Sequence, residues 1–196
     1  MSYRVYETPA LVVSRWPYGE ANFRHLLYTR DLGRIYATAQ SVRKVASKLA
    51  PALQVGSQSN ISLVCGKSGW RLVGAAPQQN FLLATPIAKQ AVIERFLRLL
   101  TYLVPDQQVD QELYEIVSAG LKAVTASQSM QDIKANERLL VLRSLVQLGY
   151  APSPEAPELE PFIRGFNYTD EVVTAFIPLA GKAVQQINES LKTIQL

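Results

Sequence analysis

The chain has 196 residues, 48% hydrophobic and 18% charged, enough apolar material for a sizeable core and too much for general disorder. No uninterrupted apolar run approaches the roughly 18 residues of a membrane-spanning helix, and Met1-Ser2-Tyr3-Arg4 lacks the apolar heart of a signal peptide, so the cytosol is the expected compartment. Cys65 is the only cysteine and His25 the only histidine, which excludes an intramolecular disulfide, a multi-cysteine zinc site and a two-histidine metal centre.

The first 80 residues read as strands and turns. Ala10-Leu11-Val12-Val13 is a short apolar run closed by Trp16-Pro17-Tyr18-Gly19, which has turn chemistry. Phe23 to Thr29 is aromatic and apolar and ends at Arg30-Asp31-Leu32-Gly33, a hairpin turn in which Gly33 is free to take a positive φ. From Arg34 to Ala39, Ile35, Ala37 and Ala39 alternate with Arg34, Tyr36 and Thr38, the period of a half-buried strand. Ile61–Cys65 and Trp70–Val73 flank the tight turn Gly66-Lys67-Ser68-Gly69. Short strands at this spacing predict a small closed barrel, because closure removes exposed edges.

The period changes at residue 85. Thr85-Pro86 reads as N-cap and first helical residue, and Val92, Phe96, Leu99, Leu100 and Leu103 recur at helical spacing up to Pro105-Asp106. A second helix carries Leu113, Ile116, Val117, Gly120, Leu121 and Val124. A third, from about Gln131 to Leu148, is apolar on most sides and is expected to be central; Gly149 stops it. The Pro/Glu-rich stretch 151–161 reads as an exposed connector. Thr169-Asp170-Glu171 starts another helix, Pro178 interrupts it, and Val184, Ile187, Leu191 and Ile194 stripe a final one. The predicted organisation is a β-barrel domain over 1–80 followed by an all-helical domain over 81–196.

Charge is unevenly placed. Residues 1–80 hold ten Lys/Arg against three acids, a net +7, whereas residues 81–196 hold ten against thirteen, a net −3. A polyanion is the natural partner of the first region. Catalysis has little to stand on. Gly66-Lys67-Ser68 ends like a phosphate-binding loop, but Ile61 occupies the position of its first glycine and no helix follows. His25 sits in an apolar strand pattern with no nucleophile beside it, Cys65 reads as a small hydrophobe, and no metal or other cofactor is expected. Cations interleaved with aromatics survive as the candidate site: Arg15, Trp16, Arg24, Arg30, Arg34, Tyr36, Arg43, Lys44, Lys48, Trp70 and Arg71. Cations neutralise phosphates and release counterions, and exposed rings stack on unpaired bases at about 1–3 kcal/mol each. Trp16 and Trp70, each beside an arginine and a turn, are the rings expected to be exposed. The segment 41–48, with three cations and no acid, reads as a phosphate clamp.

Tyr18-Gly19-Glu20, Leu26-Leu27-Tyr28-Thr29, Gly33-Arg34-Ile35, Val42-Arg43-Lys44, Ser47-Lys48-Leu49 with Leu53, and Leu148-Gly149-Tyr150-Ala151-Pro152 resemble, in order and spacing, the bacterial recombination mediator family RecO. The resemblance implies an N-terminal OB-fold and a C-terminal helical domain. It also implies binding of single- and double-stranded DNA and annealing of complementary strands. The implied partners are RecR and the tail of the single-stranded-DNA-binding protein, with loading of the RecA recombinase during repair. By the same resemblance the protein is cytoplasmic and nucleoid-associated during repair, and Gly33–Lys48 contributes to the DNA surface. Gln40-Ser41 stand where the family usually shows Lys-Gly, and the four-cysteine zinc module of many members is absent. An RNA-binding or ribosome-associated OB module, with the helices as a docking platform, is the alternative reading. For an acidic, apolar partner tail, Arg95, Arg98, Lys134 and Arg138 lie on suitable helices.

Overall fold

A computed structural model describes residues 4–20, 22–40, 49–151 and 156–194. The chain forms two compact units, Met1–Thr85 with Leu97–Gln111, and Pro86–Phe96 with Glu112–Leu196.

In the first unit five strands, β1 (Val5–Tyr18), β2 (Asn22–Thr29), β3 (Gly33–Ala39), β4 (Ser57–Gly66) and β5 (Gly69–Asn80), close a barrel in the order β1-β2-β3-β5-β4. All neighbours are antiparallel except β3 and β5, which pair in parallel over Ala37–Ala39 and Trp70–Leu72. This is the closed barrel that the strand spacing predicts and the OB-fold that the resemblance implies. Ala10, Val12, Leu27, Ile35, Ala37, Ala39, Ile61, Leu63 and Leu72 fill the interior together with Leu53, which a short 3-10 turn at Pro51–Leu53 drops into the barrel. The alternation of residues 34–39 is realised: Ile35, Ala37 and Ala39 are buried, and Tyr36 faces out.

Two strands run longer than their apolar cores suggest. Trp16-Pro17-Tyr18 is the end of β1, not a turn, and the chain reverses after it, at Gly19. Pro17 is tolerated because this end of β1 pairs only with β2; β4 pairs with β1 from Val5 to Leu11. Likewise β5 continues through Pro77 to Asn80, beyond its short pairing with β3, with only β4 alongside.

Helix α1 (Ile87–Leu103) crosses the division between the units at Phe96/Leu97. Its first turn is not capped by Thr85, whose hydroxyl donates to the Phe81 carbonyl at 2.8 Å. The Pro86 carbonyl instead accepts the Lys89 and Gln90 amides. Residues 97–111 belong with the barrel. Arg34 donates from Nε to Asp106 at 2.8 Å and also to the Thr101 carbonyl, the Gln107 amide donates to the Arg34 carbonyl, and Tyr28 Oη donates to the Asp110 carbonyl.

The second unit is built on α2 (Gln111–Ala126), α3 (Met130–Gln147), α4 (Asp170–Phe176) and α5 (Ala180–Thr193). Helix α3 buries nine of its 18 residues and opens with a reciprocal Ser129/Asp132 capping box. Gly120 of α2 admits the close approach of α3: a Cβ there would lie 2.5 Å from Leu140 Cδ1. The 151–161 stretch is not wholly an exposed connector. Ala151 is buried, and Pro157–Phe162 is a 3-10 helix that buries Leu159 completely. Behind it, Arg143 of α3 is 2% exposed, donating from Nε to the Phe162 carbonyl and from Nη1 to the Asn167 carbonyl, each at 2.8 Å. Its guanidinium lies 4.5 Å from the Tyr168 ring centre. Burial raises the Tyr168 phenol to about 12, against the opposing pull of Arg143, so this hydroxyl stays protonated. Among the described residues no helix is long and apolar enough to cross a membrane.

Candidate nucleic-acid interface

Directly paired strand residues share a face of the sheet, so the register sorts the candidate residues into outward and inward sets. Trp16 pairs with Arg24, Arg24 with Thr38, and Thr38 with Arg71. This row runs across β1, β2, β3 and β5 on the face away from the core. The next row on β2 and β3 is Leu26 opposite Tyr36. Tyr36 and Trp16 reach across β2 to meet edge to face, 5.9 Å between centroids, and Arg24 lays its guanidinium over the Tyr36 ring at 5.3 Å. Both rings stay open to solvent, Trp16 at 36% and Tyr36 at 37% exposure.

Beyond the row, Tyr18, Asn22, Thr38 and Gln40 join the β4–β5 hairpin, Val64 to Arg71, around an open groove of about 750 Å³. Lys67 and Arg71 supply its positive charge. Among the described residues Arg24, Lys67 and Arg71 enter no ion pair, so their charges remain available to an anion. Cys65, read from the sequence as a small hydrophobe, is exposed on this groove, because its strand end reaches the hairpin at the barrel rim. The hairpin also disposes of the phosphate-loop reading, since Lys67 sits in a tight turn between two antiparallel strands.

Other predicted residues are placed elsewhere. Arg15 and Trp70 belong to the inward row, Arg15–His25–Ala37–Trp70. Trp70, expected to be exposed, is half-buried against the barrel core with its ring edge-on to Tyr6 at 5.2 Å. The reason is register: its partner Ala37 is a core residue. Arg15 sits 4.9 Å over the Phe23 ring. Its neighbour His25 is fully buried with neither ring nitrogen hydrogen-bonded. Burial, reinforced by the Arg15 charge, lowers the imidazole from 6.5 to about 4, so it is neutral at physiological pH. Arg34 is engaged with Asp106 and Thr101, and Arg30 stands with it at the β2–β3 turn, remote in register from Arg24. Arg43, Lys44 and Lys48, and with them the 41–48 clamp, lie outside the described residues. Four of the eleven candidates, Trp16, Arg24, Tyr36 and Arg71, therefore gather at one end of the outer face, and Arg34 lies at its other end, engaged with Asp106. Asn22, Thr38, Gln40 and Lys67 were missed. For Thr38 the signal was present, in its alternation against the buried Ala37 and Ala39. For the others it lay in strand pairing, which local pattern does not reveal.

Of the helix cations considered for a partner tail, Arg95 is tied to Glu137, Nε to Oε1 at 2.8 Å, while Arg98 and Lys134 are exposed.

An OB barrel presents the outer face of strands 2 and 3, with the loops after strands 1 and 4, as its general ligand surface. Aromatic and cationic groups gather on that face of the first unit, which belongs to the class of OB-fold modules. Residues 1–72 match the family described as recombination protein O, N terminal. The chain is 29% identical over 149 residues to a DNA repair protein RecO of Dehalococcoides mccartyi, covering 75% of this chain and 57% of that protein. It is 30% identical over 150 residues to that of Heliobacterium modesticaldum, covering 76% and 53%, and 27% identical over 150 residues to that of Roseiflexus, covering 76% and 52%. The chain is thus similar to RecO proteins of DNA repair over three quarters of its length, with its first 72 residues matching the N-terminal family model, and it spans about half the length of the curated relatives it matches.

Proposed function

We propose that the protein is a non-catalytic DNA-binding recombination mediator whose barrel holds DNA across the outer face of β1, β2, β3 and β5. The observation that carries this reading is the row Trp16–Arg24–Thr38–Arg71, which aligns the exposed Trp16 ring with two arginines that enter no ion pair among the described residues, on the general ligand face of the fold. Cations on that face neutralise the phosphates of a bound strand, and lowering the repulsion between two strands lets complementary sequences pair. The kinship with RecO repair proteins supports DNA as the polymer. It also supports single- and double-stranded substrates, strand annealing, and work with RecR, the single-stranded-DNA-binding protein tail and the RecA recombinase in the bacterial cytoplasm.

Salt-titrated binding to single-stranded, duplex and tailed DNA tests the reading, followed by annealing of complementary strands on DNA and on RNA. The expected result is affinity that falls steeply with salt, together with accelerated DNA annealing. Binding that ignores salt, or none, overturns it. A strong RNA preference replaces it with the RNA-binding alternative.

A further inference from the structure

We propose that the Trp16–Arg24–Tyr36 cluster is the element by which this face tells unpaired from paired strands, an inference that rests on the DNA-binding reading. The outer face carries two kinds of group in two places. The groove around the β4–β5 hairpin offers Lys67 and Arg71, point charges suited to phosphate, which single strands and duplexes present alike. The cluster offers rings instead. Trp16 is held by its edge-to-face contact with Tyr36, which fixes its orientation with over a third of its surface open. Among the described residues no cation covers the Trp16 ring, whereas the Arg24 guanidinium occupies the Tyr36 ring. Arg24 is thereby steered by the ring, beside its strand partner Trp16, and among the described residues no acid pairs with it. An aromatic face beside a free cation fits one ligand chemistry, a nucleobase with its adjoining phosphate.

A base can use that ring only when its own face is free. In a duplex each base is covered above and below by its neighbours, and extruding one costs several kcal/mol. In a single strand the face is available at little cost, and stacking is indifferent to which base it is. The cluster therefore adds affinity for unpaired strands that the groove cations cannot add, without reading sequence.

The test compares three ligands of one length, a single strand, a duplex and a single strand with abasic sites, binding to the full chain and to Trp16→Ala/Tyr36→Ala. The full chain is expected to lose roughly tenfold or more on the abasic strand relative to the intact one. The double variant is expected to bind intact and abasic strands equally and the duplex within about twofold of the full chain. Trp16→Phe, which keeps a ring, restores most of the difference. The emission of Trp70→Phe, which leaves Trp16 as the single tryptophan, supplies a second readout: it is quenched by the intact single strand and not by the duplex. Equal losses on single strand and duplex, or no effect of abasic sites on the full chain, overturn the proposal while leaving the DNA-binding reading intact. Failure of the unaltered chain to bind any of the three overturns that reading first, and the proposal with it.

Discussion

Gly33 and Gln108, 75 positions apart, lie in backbone contact: a Cβ on Gly33 would sit 2.2 Å from the Gln108 carbonyl oxygen and 2.6 Å from its carbon. Gly33 also has φ +68°, a region costly for any side-chain-bearing residue. Gly33→Ala must move backbone as well as adopt that conformation, so it is expected to destabilise the first unit by at least about 2–3 kcal/mol. Urea unfolding followed at two wavelengths measures this.

Arg34 holds the same junction, with its side chain 16% exposed and Asp106 51% exposed. Arg34→Gln removes a charge-assisted bond and leaves the Thr101 carbonyl short of a donor. The expected cost is about 1–2 kcal/mol after allowance for solvent screening at Asp106. Nucleic-acid affinity measured on the folded variant should change little.

His25 makes stability depend on acid. The folded imidazole titrates at about 4, whereas the unfolded one titrates at its ordinary 6.5, so the unfolded chain takes up a proton that the fold refuses. Stability from this group is full above about pH 7 and is lost as pH falls through 6.5 towards 4, to the extent of about 3 kcal/mol. His25→Leu should abolish that part of the slope. Denaturation midpoints at pH 4.5 and 7.5 for both proteins give the comparison.

Arg143→Ala leaves two carbonyls, of Phe162 and Asn167, without donors and opens space beneath Tyr168. A loss of about 3–5 kcal/mol is expected. Arg143→Lys, which keeps the charge but not the planar fork, should recover only part of it. Thermal unfolding by circular dichroism orders the three proteins.

Much of the barrel was readable because period-2 alternation survives wherever one face is buried. Ile35, Ala37 and Ala39 announce β3, and Gly66–Gly69 announces its hairpin. The longitudinal extent of β1 and β5 was not readable: Pro17 and Pro77 look like strand breakers until one sees that each has a neighbour on one side only. Arg34 looked like every other surface cation, since its partner Asp106 is brought to it by a connection 72 residues away. Trp16 and Trp70 carried the same local signature, an arginine and a turn, and took opposite faces because register assigns one to the row of Arg24 and the other to the row of Ala37. The charge imbalance singled out the half of the chain that forms the barrel. Which cations lie on the outer row is set by pairing partners, which composition does not contain.

The most direct measurement is the salt dependence of single-stranded DNA binding for the unaltered chain, Arg24→Gln/Arg71→Gln, and Arg34→Gln. If the outer row grips phosphate, the plot of log affinity against log salt should flatten by about 1.4 in slope when both row arginines are neutralised, and stay unchanged for Arg34→Gln. A slope that Arg24→Gln/Arg71→Gln leaves intact would contradict the account, because the strand would then lie on some other surface.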